Sequence, residues 1–124
     1  MNRNALSLKA YIFCLVLCFS AVFLWHSEAR AHGPEKVIPS YYTDSGTLSV
    51  VIHHPVSNPR KHYIKSVSIT KNAAPVLTQT YTDQPESSPF TYTYSITAKA
   101  GDILKVKADC SYFGSKTGEL TVDK

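Results

Sequence analysis

The side chains best suited to chemistry in this 124-residue chain are imidazoles and a thiol. His53, His54 and His62 fall within ten residues around a loop containing Pro55 and Pro59, and Cys110 follows near the end of the chain. Imidazole nitrogen and thiolate sulfur together suit iron, zinc or copper, whereas calcium and magnesium need oxygen donors. A loop folding back between two strands would bring His54 and His62 toward one ion. The plain alternative is a pair of surface histidines. The sequence holds no Gly-rich phosphate loop, Ser-His-Asp arrangement, paired catalytic carboxylates or four-cysteine centre.

The start of the chain decides which cysteines count. Arg3 and Lys9 precede an apolar run from Tyr11 to Trp25, and the small-residue pattern Ala29-Arg30-Ala31 follows. This predicts a secretory signal peptide over residues 1–31, removed after Ala31, and a periplasmic or secreted product. The apolar run is about 15 residues, short of the roughly 20 that a membrane-spanning helix needs. Cys14 and Cys18 would leave with the signal, so Cys110 becomes a lone cysteine in an oxidising compartment. It has no partner within its own chain. Three roles stay open for it: a buried inert thiol, a disulfide to a second copy in a homo-oligomer, or a metal ligand. Setting aside Arg3, Lys9, Arg30 and Glu28 leaves ten basic and eight acidic residues. That balance leaves no basic footprint for nucleic acid.

What must position these residues is a single all-β domain over residues 32–124. β-Branched and aromatic residues alternate with Ser, Thr and Lys in short runs, with no sustained helical period. The pattern predicts strands at Val37–Tyr42, Thr47–His53, Tyr63–Thr70, Pro75–Tyr81, Phe90–Thr97, Ile103–Asp109 and Glu119–Val122, with turns between them that include Gly114 to Gly118. Seven short strands with short connections indicate an antiparallel β-sandwich. Residues two apart share a face of a strand. Leu48, Val50 and Ile52 therefore lead in register to His54, and Leu104, Val106 and Ala108 lead to Cys110. Val67 and Ile69 place the core face on odd positions, which puts His62 on the opposite side unless a β-bulge intervenes.

Three segments, in order, carry a resemblance. His54-Pro55-Val56-Ser57-Asn58-Pro59-Arg60-Lys61-His62-Tyr63-Ile64 resembles the His-Pro…His-Tyr-Ile segment of the superoxide reductase (desulfoferrodoxin, neelaredoxin) family. Glu35-Lys36-Val37-Ile38-Pro39 is similar to its Glu-Lys-His-Val-Pro, and Cys110-Ser111-Tyr112-Phe113-Gly114 to its Cys-Asn-x-His-Gly. The resemblance implies an immunoglobulin-like seven-stranded sandwich with a mononuclear non-haem iron held by four histidines and an axial cysteine thiolate. His54, His62 and Cys110 match three of those ligands. Val37 and Phe113 stand where the other two histidines would be, and two extra residues lie between His54 and His62. His53 and His32 are the further candidates for a ligand position. In the family, ferrous iron gives one electron to superoxide, which is protonated to hydrogen peroxide. Lys36 matches the lysine that attracts the anion and aids protonation, and Arg60 and Lys61 extend a positive rim. The electron would come from an external donor protein.

Other readings compete with an intact enzyme. Losing two histidines fits a non-catalytic module that binds metal, or merely a partner. Lys99-Ala100-Gly101-Asp102-Ile103-Leu104 resembles part of the sandwich subunit of the sulfur-oxidation carrier complex, which holds no metal. Cleavage after Ala31 would also expose His32-Gly33, whose free amine and imidazole together could chelate copper.

Overall fold

The computed structural model describes residues 32–124; the expected signal peptide lies outside the described residues. Seven strands form, with no helix among the described residues: β1 (Lys36–Tyr42), β2 (Thr47–His53), β3 (Ile64–Lys71), β4 (Ala74–Thr80), β5 (Phe90–Ser95), β6 (Ile103–Cys110) and β7 (Ser115–Thr121). One sheet has the order β1-β2-β5 and the other β4-β3-β6-β7, and every pairing is antiparallel. This is the all-β sandwich that the alternating sequence predicts.

Period-two burial sorts the core. Leu48, Val50 and Ile52 of β2, Val67 and Ile69 of β3, and Leu104, Val106 and Ala108 of β6 are all buried. Each fully buried Leu, Ile or Val stabilises the fold by about 1.5–3 kcal/mol relative to exposure. Phe90 and Tyr94 of β5 join them, with Tyr92 partly buried against the cluster. The Tyr94 hydroxyl meets that of Tyr81 at 2.8 Å, which satisfies both phenols at the margin of the core. Val37 of β1 belongs to the same cluster.

Besides a register shift at Ile69/Thr70 in the β3–β4 pairing, two features depart from the simple pattern and bear on the site. The first is a bulge in β3. Ile64 pairs with Cys110 but Ser66 pairs with Asp109, so Lys65 is an extra residue opposite a single step of β6. The bulge switches the parity of the strand. Ile64, three residues before Val67 instead of two, is therefore buried with Val67 and Ile69. The segment leading back to His62 is turned toward the core side.

The second departure is at β7, which begins at Ser115 and not at Glu119. The predicted turn over Gly114 to Gly118 is tighter than expected. The Cys110 N–H donates to the Gly114 carbonyl at 3.0 Å, and Gly114 takes a φ of 84°. Gly118 is a mid-strand residue opposite Val106. A Cβ there would run into the Val37 carbonyl and the Pro39 ring, so this glycine serves close backbone approach between β7 and β1. Gly118→Ala should lower stability by about 1–3 kcal/mol, read as a reduced urea midpoint with an unchanged slope.

Candidate metal centre

His54, His62 and Cys110 come from three separate places in the chain and meet at one end of the sandwich. Their ligand atoms all lie within 4.8 Å of one another. His54 is the first residue after β2 and Cys110 the last of β6, each continuing a buried face, and each is only 2% exposed. His62 is delivered by the loop that joins β2 to β3. In that loop the Asn58 carbonyl accepts N–H groups from Lys61 (3.1 Å) and His62 (2.9 Å). The Asn58 side-chain oxygen accepts the Arg60 N–H at 3.1 Å. Asparagine favours such turns because its side chain can satisfy the local backbone. Across the site, Tyr63 and Ser111 exchange bonds: Ser111 N–H to the Tyr63 carbonyl at 2.8 Å, and Tyr63 N–H to the Ser111 hydroxyl at 3.1 Å. These bonds lock the His62 segment to the turn after Cys110.

Within the group, His62 Nε2 lies 3.0 Å from Cys110 Sγ, within hydrogen-bonding reach. The Tyr112 N–H points at the same sulfur from 3.4 Å. The Tyr112 ring stacks on the His62 imidazole at a centroid separation of 4.6 Å, and His54 meets the His62 ring edge-on at 4.8 Å. Cys110 is a free, buried cysteine.

The orientation of His54 is set by Gln84, a buried side chain that sequence reasoning missed. Gln84 Oε1 accepts the Ile64 N–H at 3.1 Å and faces His54 Nδ1 at 2.7 Å, while Gln84 Nε2 donates to the His54 carbonyl at 2.8 Å. Turning the amide over would set donor against donor at Ile64 and acceptor against acceptor at the His54 carbonyl. The oxygen therefore stays toward the ring, and Nδ1 is the nitrogen that carries hydrogen. Nε2 is left with its lone pair free. A fixed Nδ1–H with a free Nε2 is how metal-binding imidazoles are held.

The donor types and spacing fit a transition metal. Bonds of about 2.0–2.3 Å place neighbouring donors of a tetrahedral shell roughly 3.3–3.8 Å apart, so the widest separation of 4.8 Å would close by about 1 Å on binding. Two imidazoles and a thiolate suit iron, zinc or copper. Cys110 would bind as the thiolate, so loading would release a proton.

The remaining sequence candidates stand outside this group. His53 is at the end of β2 on the face opposite Ile52, paired across the sheet with Lys36. Lys36 is exposed, as are Arg60 and Lys61. Val37 is packed in the core and Phe113 is 73% exposed, so neither supplies a donor. His32 reaches the site through its main chain, with its carbonyl oxygen 3.1 Å from His54 Nε2. His32–Glu35 and Gly114–Lys116 line a surface cleft of about 380 Å³.

Fold and site together define a β-sandwich carrying a His/Cys group that could hold a metal ion. The chain matches no protein-family model and no curated protein.

Burial lowers the His62 pKa from its ordinary 6.5, and the nearby His54 ring pushes the same way, against a contact with the His32 backbone. Between the lowered value and 6.5 the unfolded chain binds more protons than the folded one, so stability rises with pH in that window. The contribution is complete above about pH 6.5 and is lost as the pH falls toward the lowered value. Urea unfolding of the metal-free protein should show this loss, and His62→Phe should flatten it.

Proposed function

We propose that this chain is an exported metalloprotein of the superoxide reductase type, with one non-haem iron held by His54, His62 and Cys110. The observation that carries this reading is the convergence of those three side chains to within 4.8 Å, at the positions where the resemblance implies iron ligands. Bound iron would supply one electron to superoxide, which takes up two protons and leaves as hydrogen peroxide.

The chain's own residues contribute the rest. Cys110 brings negative charge into a nearly water-free position, and the Tyr112 N–H at its sulfur tempers how strongly it donates. Gln84 keeps the His54 ring in one tautomer and one orientation. Lys36, Arg60 and Lys61 are exposed cations that draw in a small anion, with Lys36 the nearest match to the family's helper. The electron is replaced by a separate donor protein.

A second reading is favoured by two specific positions. Val37 is committed to the core and Phe113 to solvent, so two of the four imidazoles in the family pattern have no substitute at those places. On this reading the sandwich binds a metal or a partner without turnover.

Cys110→Ser separates the two. The iron-loaded parent should show a sulfur-to-iron charge-transfer band and consume superoxide without evolving dioxygen, and the variant should lose both while keeping its far-UV circular dichroism. Reductase activity surviving in Cys110→Ser would sink the mechanism. A parent with the band but no superoxide consumption would establish the non-catalytic reading instead.

A further inference from the structure

Resting on the metal-centre reading above, we infer that the main-chain carbonyl of His32 is a fourth donor to the ion, and that residues 32–35 form an arm that straps it in place. The starting point is a conflict of lone pairs. Gln84 fixes the hydrogen of His54 on Nδ1, so Nε2 presents a lone pair, and what it meets 3.1 Å away is the His32 carbonyl oxygen. Two acceptors facing each other in this part-buried contact repel unless a proton or a metal cation sits between them. A cation shared by both removes the conflict, and the 3.1 Å separation is within a few tenths of an ångström of the roughly 3.3–3.6 Å between neighbouring nitrogen and oxygen donors around one tetrahedral ion.

The arm is built to hold that carbonyl. The Glu35 N–H donates to the His53 carbonyl at 2.7 Å, which ties the arm to the end of β2 beside His54. Pro34 is buried. Gly33 lies directly on Gly114, so closely that a Cβ on Gly33 would come within 2.9 Å of the Gly114 backbone. Gly114 closes the turn that begins at Cys110. The arm thus touches the supports of both His54 and Cys110, while the His32 residue itself is exposed. Its position lets the main chain, and not the imidazole, do the ligating. Two imidazole nitrogens, a thiolate and a carbonyl oxygen complete a four-donor set for a borderline-soft divalent ion.

Cobalt(II) is the probe, because its visible spectrum reports both sulfur ligation and donor number. The purified protein should bind one equivalent with a sulfur-to-cobalt band. His32→Ala removes the imidazole but keeps the carbonyl, and should bind with the same spectrum and an affinity within about threefold. Gly33→Val pushes the arm off Gly114, and should weaken binding about tenfold or more and shift the ligand-field bands, as loss of a supporting contact does at metal sites. Because Gly33→Val could disturb the turn, a second measurement uses the unaltered sequence: the carbon-13 carbonyl resonance of His32 should move on adding one equivalent of zinc, and that of Gly33 much less. Binding that ignores Gly33→Val, an unmoved His32 carbonyl, or loss of binding in His32→Ala would each overturn this inference while leaving the three-ligand centre standing. Parent protein that binds no cobalt would overturn both.

Discussion

A buried amide, Gln84, joins the two sheets at the end where the donors meet. Its oxygen takes the Ile64 N–H at the start of β3 and faces the His54 ring at the end of β2, while its nitrogen holds the His54 carbonyl. A buried amide left half-satisfied costs about 1–3 kcal/mol, so loss of any one of these contacts is penalised. The spacing between His54 and the His62 segment follows from this clamp. So does the choice of which imidazole nitrogen is free, and with it the capacity of the group to act as a ligand set.

The strand pattern made much of this arrangement legible. Period-two alternation through Leu48, Val50 and Ile52, and through Leu104, Val106 and Ala108, carries directly into His54 and Cys110, and both are buried in the structure. His62 was harder, because the odd-numbered core positions of β3 point it away. The signal that could have found it is the spacing of three between Ile64 and Val67, which marks the bulge at Lys65. Gln84 had no such signal. It sits in a polar loop, and only tertiary contact makes it a buried anchor. Gly118 misled for a related reason, since a glycine between polar residues reads as a turn, whereas here it makes room for the Val37 carbonyl. Close approach between distant strands leaves no periodic trace in a sequence.

The site also differs from a four-histidine pattern in a physically coherent way. Val37 fills the space between the sheets, where an imidazole would need a hydrogen-bonding partner. Phe113 faces solvent at the turn, next to Tyr112, whose ring supports His62 from outside. With only two imidazoles beside it, the group relies heavily on the thiolate of Cys110.

That reliance makes sulfur ligation the claim to test most directly. X-ray absorption at the iron edge, on protein loaded with one equivalent of ferrous iron, should show one sulfur scatterer at about 2.3 Å with imidazole nitrogens near 2.1 Å, close to the values typical of bound zinc. A first shell of oxygen and nitrogen alone, with no sulfur, would contradict the account.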